Sequence, residues 1–342
     1  MRTFTLLAAV IGLCSAGCTD SLVGPAASGD RAGVFDALWQ ETDLHYSFFD
    51  YKHIDWSALG ARYRPLALAA TSDRDFAQVL GQLMAELRDV HVALFPTGAG
   101  TALRYLSAFD TMATYDNPRA TQSRYVPGAR TTPKGGMTYG MIESSVGYVR
   151  IPSFEGNGWA SEIDEIILAL PDARSLIIDI RSNAGGTRAI ALDIAGRFVD
   201  RPRTMGYIRS RNGPGHADFT DFLPQTVAPA GRHFGGSVYV LTNRRNYSSA
   251  EDLVLALKTM PAVTVVGDTT GGASGGPTVR TLPNGWTYQI SEWIEYTPDR
   301  QVFEGIGLAP DVMVKATAAD AQAGRDVVLE RALALALGRP WP

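Results

Sequence analysis

Cysteine is nearly absent: the 342-residue chain has two, Cys14 and Cys18, both at its N-terminal end. Once that segment is removed, no disulfide can brace the protein. Lysine is also scarce, with four (Lys52, Lys134, Lys258 and Lys315) among 31 basic residues. These 31 stand against 35 acidic residues for a net charge of −4, and no basic patch stands out. Nucleic acid is therefore not an expected partner. No apolar run is long enough to span a bilayer as a permanent helix, since the longest, Phe4 to Leu13, is too short. What remains is an ordinary globular composition, 45% hydrophobic and 19% charged, enough for one large or two modest domains.

The first residues, MRTFTLLAAVIGLCSAGC, place one arginine before the apolar run and small residues after it. That is the build of a secretory signal, assigned here to residues 1–17. Ser15-Ala16-Gly17-Cys18 resembles a bacterial lipoprotein cleavage box, so Cys18 is the expected acylation site and the protein is expected in the cell envelope, lipid-anchored. Residues 18–32, small and polar, read as a tether. Residues 33–95 read as an N-terminal helical subdomain. Apolar spacing predicts amphipathic helices around Phe35–Tyr46, Ser57–Leu68 and, capped by Ser72 and Asp75, Phe76–Leu87. Residues 96–342 read as an α/β core. Within it, 96–142 is expected as strands and loops, and 205–235 as loops. SLIIDIR (175–181), SVYVLTN (237–243) and VTVVGD (263–268) are continuous apolar runs of the sort buried on both faces of a parallel sheet. Helices are expected at 163–170, 188–198 and 318–337, and a hairpin turning at Asn284-Gly285.

Three junctions fall at the carboxyl ends of these strands, where open α/β sheets keep their sites. They are Asn183-Ala184-Gly185-Gly186, Tyr247-Ser248-Ser249, and the loop from Asp268 to Gly276. Ser248-Ser249-Ala250-Glu251 before an apolar run is a capping box. A serine at a helix start is equally the place for a nucleophile. Local sequence leaves both open. A nucleophilic serine needs a base. Lys258 lies ten residues along the same helix, about 15 Å away, and cannot reach; Lys52, Lys134 and Lys315 have no motif around them. Of the five histidines, His45, His53, His216 and His233 suit packing or solvent, whereas His91 follows a capped helix directly and abuts a strand.

The ordered set LRDVHVAL, LIIDIRSNAGG, VYVLTNRRNYSSAE, VVGDTTGG and EGIGLAPDV resembles the tail-specific (C-terminal-processing) and tricorn-core family of serine peptidases, a likeness that extends over about residues 33 to 316. The resemblance implies a crotonase/ClpP-like core behind a helical bundle. It implies Ser248 as nucleophile, with oxyanion donors from Ser249 and from Gly185 or Gly186. The tail-specific branch takes its base from a lysine in the glycine loop, a place held here by Ala273. The tricorn-like branch uses a histidine and a late glutamate, places held by His91 and Glu304. Val90 stands where that branch has a serine before the histidine, and no carboxylate-binding loop of a PDZ domain is recognisable. The expectation is therefore a serine peptidase acting on peptide or protein substrates, with no metal and no cofactor. A binding protein for apolar ligands, as the retinoid-binding relatives of this fold suggest, and a small-ester or amide hydrolase are the alternatives.

Overall fold

Each of the first three helices begins where a short polar side chain closes its opening turn. In the computed structural model, which describes residues 29–97, 101–107, 110 and 114–341, these are α1 (Arg31–His45), α2 (Trp56–Ala69) and α3 (Asp73–Ala85). Asp30, Asp55 and Ser72 cap them by accepting from the Gly33, Ala58 and Asp75 amides. The signal segment, Cys18 and most of the tether lie outside the described residues. Next in chain order come β1 (Ala93–Phe95), β2 (Leu103–Arg104), α4 (Pro118–Tyr125), β3 (Arg130–Thr131), β4 (Thr138–Glu143) and β5 (Val146–Arg150). Then follow α5 (Glu162–Ala169), β6 (Ser175–Asp179), α6 (Arg188–Ala195), β7 (Arg203–Ser210), β8 (Leu223–Val227), β9 (Ser237–Thr242) and α7 (Ser249–Lys258). The chain closes with β10 (Val263–Gly267), β11 (Gly275–Thr281), β12 (Thr287–Tyr296), β13 (Val312–Met313), α8 (Ala318–Gln322) and α9 (Val327–Ala336).

The strands form two sheets. The first runs β13-β10-β9-β6-β5-β4-β3 and is parallel from β13 through β5, with β4 and β3 added antiparallel. Its central strands alternate between two apolar cores, which is why their sequences are hydrophobic throughout. Ile178, Val240 and Val265 face α5, α6 and α7, while Ile177, Leu241 and Val266 face α9. The second sheet, antiparallel, runs β2-β1-β12-β7-β8, with β11 also paired to β12. Its buried face shares one core with the N-terminal helices: Phe35, Leu38, Trp56, Phe76 and Leu80 pack with Tyr288, Ile290 and Ile294. Among the described residues, no helix is long and apolar enough to cross a membrane.

Three local expectations change. The stretch 96–142 holds the expected strands, β2, β3 and most of β4, but also the helix α4, and 205–235 carries most of β7 and all of β8. The single helix expected at 318–337 is two, because Gly324 takes φ +65° and ends α8, and Asp326 caps α9 afresh. Asp326 also anchors the carboxyl edge of the parallel sheet. Arg181, buried, donates to Asp179 and Asp326 together, and Thr121 of α4 donates to Asp326. Losing Asp326 leaves Arg181 paired with Asp179 but takes charge-assisted hydrogen bonds from the buried guanidinium, from Thr121 and from the cap of α9, a loss of about 3–5 kcal/mol in all. Asp326→Ala should therefore lower the unfolding free energy by about that amount, with the urea midpoint as readout. A loss under about 1 kcal/mol would show that the cluster does not tie α9 to the sheet.

Candidate active site

β9 and α7 are joined by Asn243–Ser248, and this turn is held from below. Asn246 donates through Nδ2 to the Ile180 and Asn183 carbonyls and accepts the Asn243 amide. The turn ends in a strained residue: Ser248 has φ +54° and ψ −128°, a region that side-chain-bearing residues rarely occupy. Ser248 is half-buried, and Ser249 and Ala250 behind it are buried. Both halves of the capping box are in place, the Ser248 side chain toward the Glu251 amide and the Glu251 side chain toward the Ser248 amide, and the second is the one with ordinary hydrogen-bond geometry. Glu251 Oε2 accepts the Ser248 amide at 3.2 Å, and the Glu251 amide donates to the Ser248 carbonyl at 2.6 Å. The Ser248 hydroxyl makes no cap hydrogen bond of ordinary geometry.

Gly185 packs directly on this elbow. A Cβ there would lie 2.8 Å from the Tyr247 carbonyl oxygen, 2.9 Å from Ser248 Cβ and 3.0 Å from the Ser249 nitrogen, and its φ is +98°. Only glycine fits so close an approach. The Gly185 amide itself donates to Asn183 Oδ1 at 2.8 Å, so of the two glycines it is not the one with a free N–H. Gly186 is exposed beside it, and its carbonyl accepts from the Ser249 hydroxyl at 2.9 Å. The Ser249 side chain is therefore occupied, and its amide, at the first position of α7, has no partner within the helix.

Glu251 connects the elbow to the glycine loop. Its carboxylate accepts the Gly272 and Ala273 amides at 2.9 and 2.7 Å and the Thr270 hydroxyl. Burial pushes its pKa up to about 7 against the pull of those donors. One residue on, the Ser274 amide and hydroxyl both donate to Glu304 Oε2, at 2.8 and 3.2 Å. Glu304 is buried too, and burial together with the nearby charge of Asp89 raises it to about 7, with Lys52 opposing.

Lys52, which no sequence motif distinguishes, sits in this cluster. Its Nζ is 2.8 Å from Glu304 Oε1, 3.1 Å from the Tyr46 hydroxyl and 3.6 Å from Asp89 Oδ2. Asp89 accepts the His91 amide, the Tyr46 hydroxyl and the Ser291 hydroxyl. Burial would raise its pKa, but Lys52 and His91 outweigh that and hold it below the usual value. His91 is half-buried. Its pKa is lowered by burial, and its Nδ1 is buried with no hydrogen-bond partner among the described residues. Ser248, Ser249, Gly185 and Gly186 thus lie together. His91 and Glu304 belong to one polar cluster around Lys52 and Asp89. No hydrogen bond joins His91 to Ser248 or to Glu304 among the described residues. Lys52, Asp89 and Ser274 are the members that sequence reading missed, and only the rarity of lysine set Lys52 apart.

Comparison with known proteins bears on this arrangement. The description "Peptidase family S41" fits residues 145–314, and "Tricorn protease C1 domain" fits residues 28–85. A solved structure from Parabacteroides merdae ATCC 43184, provisionally described as a peptidase, is 31% identical with a TM-score of 0.79; the match covers 89% of this chain and 96% of that one. The chain belongs to peptidase family S41. Mature CPAF, 12% identical with a TM-score of 0.70 over 90% of this chain and 96% of its own, shares the fold. The carboxy-terminal-processing protease of Bartonella bacilliformis is 24% identical over 193 residues, 55% of this chain and 43% of that protein. Carboxy-terminal processing protease CtpA of Bacillus subtilis (strain 168) is 25% identical over 176 residues, 50% of this chain and 35% of that protein. The S41 chain described here therefore matches less than half the length of either of these two relatives.

Glu251 supplies a pH test of the elbow. Its folded pKa, about 7, exceeds the ordinary 4.5. Between those values the folded protein binds more protons than the unfolded one, so this group's contribution to stability falls as pH rises through the window. Glu251→Gln should gain on the wild type as the pH climbs from about 5 to about 7.5, read as the difference in urea midpoints. A difference that is flat or runs the other way means the carboxylate is ionised throughout.

Proposed function

We propose that the protein is a serine peptidase of the bacterial cell envelope, exported through its N-terminal segment and anchored at Cys18, that hydrolyses peptide bonds. The reading rests on Ser248. It is a strained serine at the start of α7, and although its side chain stands in capping-box position toward the Glu251 amide, no cap hydrogen bond of ordinary geometry ties up its hydroxyl. In the proposed mechanism Ser248 Oγ attacks the scissile carbonyl carbon while His91 accepts the hydroxyl proton. The tetrahedral oxygen is stabilised by the Ser249 and Gly186 amides at the N-terminus of α7, where the helix dipole also favours negative charge. Gly185 makes the room for this and leaves the donation to its neighbour. His91 then returns the proton to the leaving amine, and water repeats the sequence on the acyl-enzyme. Glu304 supplies negative charge that favours the imidazolium, acting with Asp89 through the buried cluster.

No hydrogen bond joins His91 to Ser248 in the substrate-free protein among the described residues, and catalytic hydrogen bonds in such sites are often long and tighten in the complex. A fluorophosphonate probe tests the reading. It should label the wild-type protein, fail on Ser248→Ala and react about 10²-fold or more slowly with His91→Ala. Labelling that survives Ser248→Ala would sink the mechanism. Absence of wild-type labelling would favour a binding protein on the same fold. Turnover of small esters without cleavage of any member of a peptide library would replace peptidase by esterase.

A further inference from the structure

We propose that Lys52 is a positioning residue of this site, holding Glu304 and Asp89 as the charged pair beside the His91 segment. The proposal rests on the Ser248–His91–Glu304 reading and adds a residue to it. Lys52 leaves α1 in an aromatic turn, and only 9% of its side chain is exposed, against 2% for Glu304 and none for Asp89. Its ammonium donates to Glu304 Oε1, to the Tyr46 hydroxyl and to the Arg88 carbonyl, and lies 5.0 Å from the centre of the Phe48 ring. A surface lysine forming an incidental ion pair keeps water around its other donors. Here three protein acceptors and an aromatic face replace that water.

The backbone is arranged around this lysine as well. Lys52 Nζ donates to the Arg88 carbonyl at 3.1 Å, and Arg88 Nη2 donates back to the Lys52 carbonyl at 2.7 Å. Arg88 is held at φ +48°, a strained setting for its side chain. The reciprocal pair fastens the segment that carries Asp89 and His91 to the one that carries Lys52. Glu304, from 252 residues further along, closes the cluster.

Charge counting gives the arrangement a purpose. With His91 neutral and Glu304 ionised, Lys52, Glu304 and Asp89 sum to −1. When His91 takes the Ser248 proton the sum becomes zero, so proton transfer neutralises a buried cluster instead of charging it. Without Lys52 the sum begins at −2, and two buried carboxylates so placed resist ionising together. Glu304 would then take up a proton and cease to favour the imidazolium. The other groups facing the ammonium are Tyr46 at the end of α1, Tyr51 in the turn, and Arg88; Glu251 faces Glu304 from across the glycine loop. None of these supplies a second cation to the carboxylates' inner side, because the Arg88 guanidinium turns to the Lys52 carbonyl.

The test compares Lys52→Met and Lys52→Arg in the full chain, measuring fluorophosphonate labelling rates across pH. Lys52→Met should label at least about tenfold more slowly near neutrality, with the acid limb of its profile moved to higher pH by about one unit. Lys52→Arg keeps the charge and cannot act as a base; it should restore most of the rate and return the limb. Lys52→Met with wild-type rate and limb overturns the proposal. So does Lys52→Arg as unreactive as Lys52→Met when its circular dichroism and thermal transition match the wild type, an outcome that makes Lys52 itself the base. If Lys52→Met does not fold, Lys52→Arg decides alone by the same two criteria. Failure of the wild type to label, or labelling that survives Ser248→Ala, strikes the underlying reading instead.

Discussion

The buried carboxylate of Glu251 is the interaction on which the rest of the site depends. It accepts from the Ser248, Gly272 and Ala273 amides and from the Thr270 hydroxyl. Hydrogen bonds to a charged group are worth about 1.5–3 kcal/mol each, and burying an unpaired carboxylate costs more than any one of them. Several donors are therefore needed before such a group can stay where it is. Their source matters more than their sum, since they come from the start of α7 and from the glycine loop after β10. Two segments that could move independently are fixed to one point. The loop in turn delivers Ser274 to Glu304, so the geometry of the elbow is passed on to the far side of the site.

A second constraint is that the site is assembled from two cores. Ser248, Ser249 and the Gly185–Gly186 turn stand on the parallel sheet, whose strands are buried from both sides. His91, Asp89 and Lys52 stand on segments packed with the antiparallel sheet and the N-terminal helices. β11 and the loop before it run between them, because β11 follows the glycine loop directly and pairs with β12, as does β1 just after His91. The relative placement of the serine and the histidine is thus a packing property. Arg188 bridges the two cores, pairing with Asp252 of α7 and with Glu295 of β12.

The sequence made legible what is periodic or locally capped. The parallel strands are legible because burial on both faces leaves no room for polar residues, and the N-terminal helices because apolar residues recur at helical spacing, joined in the third by the Ser72 cap. β7 and β8 stayed hidden because their exposed and buried positions alternate poorly and Pro224 interrupts one of them. α4, PRATQSRY, buries only Thr121 and so has no apolar stripe to detect. In the site, Ser248 and its glycine partners are visible because the strand–turn–helix pattern is local. Lys52 is not visible in this sense, since its meaning comes from Glu304, 252 residues away, and from a carbonyl that no side-chain pattern encodes.

Val90 shows how chemistry can be supplied from a different place in the chain. The tricorn-like pattern puts a serine before the histidine, and valine offers no hydroxyl there. A hydroxyl nevertheless stands at Glu304, from Ser274, which donates both its amide and its side chain to one carboxylate oxygen. The other oxygen is taken by the Lys52 ammonium. A carboxylate satisfied on both oxygens by fixed donors is oriented without any help from the residue before His91. The orientation is carried by loop and turn segments that Glu251 and Arg88 hold in place, so the absent serine removes one donor from the pattern and leaves the carboxylate no less defined.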